Sequence, residues 1–320
     1  MDRALRLLSA ATAAGMFLVL VMGAAVTNTG SAEGCGRSWP LCNGQFVPAF
    51  TVATAIEYSH RAVTGIESVL VVVLAVVMLM LWRADREVQI LAPLMVVTLV
   101  LQAGLGGAAV MVPQSPAVLA SHFGVSLVAF AATFLSAAYV FAQTRSHTGS
   151  GRRTGRGREE QPVPAAFRRA VLGTGVYILL VVYLGAYVRH AGVSLACVDW
   201  PLCNGQVVPS LEGATGVVFA HRLAALGAML LLGWLMRSAR SVGVGFGPAA
   251  HAFGLSLLQS FSGALVVWFR LDLFSTLAHA GVMALLFASV CVLVRRALLP
   301  RGSPLGAARR TKPRLEPTSA

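Results

Sequence analysis

Eight long apolar runs punctuate this chain of 320 residues, at about 7–27, 57–82, 89–111, 117–142, 168–189, 216–236, 248–269 and 275–294. Each approaches the roughly 20 residues that carry a helix across a bilayer. Lipid offers no water to a free N–H or C=O, so every such run must satisfy its backbone internally, as a helix. Composition points the same way. The chain is 57% hydrophobic and only 12% charged, with mean hydropathy +0.75, against about 25% charged for an ordinary soluble domain. The first run lacks a convincing cleavage site and is followed by seven more, so it reads as a span and not as a removable signal. The expected fold is an all-α integral membrane protein of eight helices.

The net charge of +13 invites a nucleic-acid reading, but its distribution argues for topology instead. If the N-terminus is cytoplasmic, twenty of the 25 basic residues fall on that side: Arg3, Arg6, Arg83, Arg86, the cluster Arg145–Arg169, Arg237, Arg240 and the tail from Arg295. Outer loops keep Arg37, Arg189 and Arg270, while Arg61 and Arg222 start spans two and six. The positive-inside rule then puts both termini in the cytoplasm of a cell-membrane protein, with lipid and not nucleic acid as its surroundings. A Gly/Arg-rich stretch at 146–166 reads as a cytoplasmic linker. It divides a first half, 1–145, from a second, 167–296, and 297–320 reads as a disordered basic tail.

The halves repeat each other. Trp39-Pro40-Leu41-Cys42-Asn43-Gly44-Gln45 returns unchanged at 200–206, and His60-Arg61 returns as His221-Arg222, both at an offset of 161. Gln102 then matches Gln259, and His122 matches His279, at an offset of 157. Four spans per repeat is an even number, so both halves enter from the same side. The expectation is two tandem, pseudo-symmetric four-helix bundles related by an axis along the membrane normal.

Four of the seven histidines obey the repeat: His60, His122, His221 and His279. All sit shallowly inside the outer ends of even-numbered spans. His147, His190 and His251 have no counterpart; they are assigned to the linker, an outer loop and the cytoplasmic start of span seven, facing solvent or the interface. A lone intramembrane histidine often only bonds a neighbouring helix, but two equivalent pairs at one depth point to metal. Zinc wants a third or fourth ligand that neither half repeats; heme iron needs only two axial ones. Gly104, Gly106, Gly107 and Gly124, and Gly227, Gly263 and Gly281, leave room for a flat macrocycle, and Arg61 and Arg222 can reach propionates.

Cys35 and Cys42 lie in the first outer loop, Cys197 and Cys203 in the third. Each pair is either a staple on the oxidising side or a redox-active couple. Cys291 reads as packed core. The halves also differ. Glu57, one turn before His60, faces Val218 across the repeat, and Glu67, two turns after it, faces Ala228. Glu57 is a candidate acid–base group or merely a first-turn acid. Glu67 is a candidate partner of Gln102 or a step in a proton path.

Taken together, the duplicated halves, the Cys-x6-Cys loop, Glu57-Tyr58-Ser59-His60-Arg61, His122, the second Cys pair, His221 and His279 resemble the heme A synthases of the CtaA type. The resemblance implies oxidation of the C8 methyl of heme O to a formyl group. It implies a resident heme b on His221 and His279, a substrate heme on His60 and His122, and a catalytic role for Glu57 at the oxidised carbon. It gives greater functional weight to the Cys35–Cys42 pair. The partners implied are a heme O synthase, a heme-copper oxidase or its assembly factors, an electron donor and, in an oligomer, a further copy of the chain. The competing reading is a two-heme b-type electron-transfer cytochrome.

Overall fold

The computed structural model describes residues 2–147 and 163–298. Eight helices account for most of them: α1 Asp2–Asn28, α2 Val52–Trp82, α3 Arg86–Met111, α4 Pro116–His147, α5 Ala165–His190, α6 Gly213–Val242, α7 Phe246–Trp268 and α8 Leu273–Leu298. All eight are long and apolar enough to cross a membrane. The helices outrun the apolar runs by a few residues at most ends, because polar residues at the interface continue a helix whose core is already formed. The central part of the expected linker and all but the start of the expected tail lie outside the described residues.

Local signals set the boundaries. Thr51 caps α2 by accepting from Thr54 N–H at 3.2 Å, and Asp272 accepts from Ser275 N–H at 3.1 Å as α8 begins. Such caps occupy donors that a helix start leaves free. Pro116 opens α4, where a missing N–H costs nothing, and Gly243 ends α6 at φ 76°.

Helices α1–α4 close into a ring in chain order, α1 meeting α4, and α5–α8 do the same. The rings join through α4 against α5 and α8, and α1 against α8. One apolar cluster runs through both, from Leu5, Leu74 and Met95 to Ile178, Leu232 and Leu286. The outward faces are apolar as well. Val69, Val72, Val76 and Met80 of α2 are exposed, while Ser9, Thr12, Glu67, Thr133 and Ser136 are buried. Polar groups inside and apolar groups outside is the arrangement a lipid solvent demands.

Polar clamps fasten the rings at both ends. At the loop end, Arg189 of α5 donates to Asn28 Oδ1 of α1 at 2.7 Å and to the Thr27 carbonyl at 3.2 Å. At the opposite end, Arg295 of α8 pairs with Glu87 of α3, and Arg6 of α1 donates to Thr144 of α4 at 2.7 Å. Replacing Arg189 by Ala removes two charge-assisted bonds. The expected loss is about 2 kcal/mol, read as a lowered thermal midpoint of the detergent-solubilised protein; an unchanged midpoint would mean the clamp adds no stability.

Candidate functional site

The repeated Trp-Pro-Leu-Cys-Asn-Gly-Gln segments fold into the same small hairpin. Asn43 and Gly44 have φ of 51° and 76°, and Asn204 and Gly205 have φ of 55° and 77°. Positive φ at both central residues is the two-residue turn that Asn-Gly favours. It brings Cys42 opposite Gln45 and Cys203 opposite Gln206. Both cysteine pairs are disulfides, Cys35–Cys42 and Cys197–Cys203. Cys291 is the free thiol among the described residues.

Each hairpin is braced from below by the arginine that follows a repeated histidine. Arg61 Nη1 donates to the carbonyls of Ser38 and Leu41, both at 2.7 Å. Arg222 Nη1 donates to the carbonyls of Asp199 and Leu202, at 2.9 and 2.6 Å, and its Nη2 donates to that of Cys197 at 3.1 Å. The sequence suggested propionate partners at these positions; the geometry adds a task, holding the disulfide loops against the helix ends.

Glu57 completes this brace in the first half alone. It is 3% exposed, its Oε2 accepts from Cys35 N–H at 2.7 Å, and its Oε1 pairs with Arg61. A single carboxylate thus links a disulfide residue to the helix turn carrying His60. Where Glu57 stands in the first half, the second has buried Val218.

The four repeated histidines show a packing rule that sequence reasoning missed. Each ring lies against a glycine of the preceding helix. A Cβ at Gly23 would stand 3.3 Å from His60 Cε1, at Gly106 3.6 Å from His122 Cε1, at Gly185 2.6 Å from His221 Cε1 and at Gly263 3.3 Å from His279 Cε1. Gly23 and Gly185 correspond at an offset of 162 and lie outside the glycines expected to line the sites. Cys35 and Cys197 share that offset, so the one-residue difference falls between the cysteines of each pair. The other expected cavity glycines do different work. Gly107 receives the Trp39 ring, Gly227 the Tyr177 hydroxyl and Gly281 Phe17, while Gly104 and Gly124 meet nothing.

Within each half the two histidines lie within electrostatic reach, His60 of His122 and His279 of His221. The Nδ1 atoms of His60, His122 and His221 are buried without a partner. His279 differs. Its Nδ1 meets Ser262 Oγ at 2.9 Å, and its Nε2 lies 3.1 Å from Gln259 Nε2. Gln102, the repeat of Gln259, leaves its Nε2 unpaired, and Leu105 occupies the place of Ser262. His190 also departs from expectation. It ends α5 instead of lying in a loop, and it stands within electrostatic reach of His122. His251 Nδ1 meets Ser289 Oγ at 2.9 Å.

Among the described residues no group of three or more His, Cys, Asp or Glu converges as a metal cage. That disfavours a structural zinc site. Two imidazoles per half, three with an unpartnered buried nitrogen and each beside a glycine, are a donor set that would hold heme iron. The residues therefore fit heme.

Residues 6–291 match the COX15-CtaA family, described as a cytochrome oxidase assembly protein. The chain belongs to that family. It is 40% identical to a heme A synthase of Symbiobacterium thermophilum over 287 residues, 88% of this chain and 91% of the relative. It is 39% identical to a heme A synthase of Geobacillus kaustophilus over 319 residues, 96% of each chain. A heme A synthase of Bacillus licheniformis is 39% identical over 304 residues, 91% of this chain and 95% of its own.

The two family loops differ at the residue that holds the turn. Asp199 accepts from Gly205 N–H at 2.8 Å and from Asn204 N–H, where Ser38 accepts from Gly44 N–H at 3.2 Å. The Gly205 bond above all holds the Asp199 carboxyl below the usual carboxylate range. Because the folded value is depressed, the carboxylate's hold on the turn is present above the ordinary range and is lost as pH falls through the folded value. Amide exchange at Gly205, measured by NMR with base-catalysed chemistry corrected for, should lose protection on acidification, while Gly44 should show no such step. Equal acid response at both glycines would contradict the assignment.

Proposed function

We propose that this membrane protein is a heme A synthase, oxidising the C8 methyl of heme O to the formyl of heme A for heme-copper oxidases. The reading rests on membership of the family, on relatives bearing that name over most of their length, and on one observation above the rest. A duplicated frame carries two histidine pairs whose surroundings have diverged. Ser262 Oγ lies 2.9 Å from Nδ1 of His279. A hydrogen-bonded second contact fixes a ligand ring and tightens its metal, which suits a resident heme b on His221 and His279. His122 has Leu105 and an unengaged Gln102 instead, which suits a heme that enters and leaves between His60 and His122.

The topology proposed with it is two parallel, pseudo-symmetric repeats, 1–145 and 167–296, in the plasma membrane. Both termini are cytoplasmic and the disulfide loops lie outside. The separation of arginines along the chain supports this orientation. Heme O would be delivered by a heme O synthase and heme A passed to an oxidase or its assembly factors.

Resident heme b supplies one-electron redox chemistry when bound. The chain's own residues do the rest. His60 and His122 orient the substrate through its iron. Glu57, one turn above His60, presents a carboxylate that can take a proton at the carbon being oxidised. That carboxylate already bridges Cys35 N–H and Arg61, so loop 1 and the proton acceptor are set in place together. Propionates reaching Arg61 or Arg222 would share those guanidinium donors with the loop carbonyls, tying loop closure to heme seating.

Co-expression with a heme O synthase, followed by chromatography of extracted hemes, should yield heme A. Only heme B and heme O from folded protein would leave an electron carrier as the reading. Glu57→Ala and Glu57→Gln should both abolish heme A with the resident heme b spectrum intact. Activity retained by the amide would reduce Glu57 to a loop brace. His221→Ala and His279→Ala should deplete resident heme more than His60→Ala does; equal depletion by all three would reject the division between halves.

A further inference from the structure

Glu67 is the buried ionisable group that this reaction scheme leaves unused. It is 2% exposed in the middle of α2, and its Oε1 has no hydrogen-bond partner. A carboxyl in the hydrocarbon layer without a partner is costly to keep, and such groups mark sites of function. It lies seven residues after His60, about 10 Å further along the helix and on the same face.

The carboxyl is accommodated by a glycine, as the histidines are. A Cβ on Gly15 of α1 would stand 2.0 Å from Glu67 Oε2. Eight residues along α1, Gly23 faces His60, so Glu67 and His60 share one groove. The contacts Arg6–Thr144 and Phe17–Phe130 fix the register of α1 against α4. That register brings Thr12 and Gly15 to the level of Ser136 and Thr133, and Ser136 Oγ is also buried and unpartnered.

The second half fills the same level differently. Gly15 becomes Tyr177 at the 162 offset of Gly23 and Gly185, Glu67 becomes Ala228 at 161, and Thr133 and Ser136 become Val290 and Leu293 at 157. Tyr177 enters the space beside Gly227, and its hydroxyl donates to the Ala224 carbonyl at 3.0 Å. The volume has been exchanged between helices, from Gly and Glu to Tyr and Ala. In the second half the polar tip is bound to backbone; in the first, one oxygen is left to bond something else.

Beyond Glu67 the α2 face itself is apolar: Val71, Leu74, Ala75 and Met78 are all at 2% exposure or less. Thr12, Ser9 and Thr133 donate their hydroxyls to carbonyls of their own helices. Glu67 thus lies on the α2 face that carries His60, with one carboxyl oxygen left to bond a ligand.

We infer that Glu67 forms a hydroxyl-binding subsite in the first half, made by its carboxyl over Gly15, which recognises the hydroxyl of the hydroxyalkyl side chain that distinguishes heme O from heme B. This rests on the proposed function, because it takes heme O as the ligand of His60. The subsite makes the first half selective for its substrate, since a site built to bond a hydroxyl penalises an analogue lacking one. The second half, with Ala228 and a satisfied Tyr177, has no such preference.

The test uses full-length protein purified with its resident heme from cells lacking heme O synthase, and equimolar heme O and heme B as probes. After washing, retained hemes are extracted and separated by chromatography, with His60→Ala as the blank for first-half binding. Wild type should retain heme O over heme B. Glu67→Ala should lower that ratio about tenfold with the resident heme spectrum unchanged, and Glu67→Gln, which still bonds a hydroxyl, should keep most of it. The isoprenoid tail contributes equally to wild type and variants, so the change in ratio isolates the carboxyl. A ratio unchanged in Glu67→Ala overturns the subsite, including when turnover falls, an outcome that would make Glu67 a proton carrier. Absence of any preference in wild type overturns the heme O reading itself.

Discussion

A polar side chain in the hydrocarbon layer has only protein, or a bound ligand, to bond with, and most of this architecture answers that constraint. Threonines and serines along α1, α4 and α8 return their hydroxyls to carbonyls of their own helices. Arginines at the helix ends reach loop carbonyls, an asparagine or a glutamate on a neighbouring helix. The buried atoms left over are therefore informative. They include ring nitrogens of His60, His122 and His221, the amides of Gln102 and Gln259, and an oxygen of Glu67. The histidine nitrogens among them fall in both rings, where an added ligand would complete the bonding.

The two halves share a set of contacts and depart from each other at a few residues. Glycines against histidines, arginines beneath hairpins and disulfides across the loops occur in both halves. Glu57 and Glu67 occur in the first half only, and Ser262 in the second only. The first half thus carries acids around its histidine pair, whereas the second carries an orienting hydroxyl. The two halves thus differ by a few side chains around equivalent histidines.

Much of this was legible in the sequence. The eight spans followed from hydropathy, because apolar length is a strong signal in lipid, and the four histidines stood out because they repeat. Gly23 and Gly185 were not legible. Glycine is common in membrane helices, and these two match only after allowing for the residue missing between Cys197 and Cys203. The bracing by Arg61 and Arg222 was also hidden, since it joins side chains to carbonyls of a loop some twenty residues earlier, and carbonyls carry no sequence signature. His190 falls just past the fifth apolar run, which ends at about 189, yet helix α5 continues through it.

The sequence alone determined the class, the number of spans and the inventory of chemical groups, for the physical reason that lipid forces each apolar run into a helix and each repeated polar residue to have a purpose. It did not determine which groups meet. That Glu57 bonds a cysteine N–H, that Ser262 reaches His279, and that Tyr177 fills in one half the level occupied by Glu67 in the other were decided by helix register and rotation. Those are set by packing among all eight helices at once, and no local stretch of sequence encodes them.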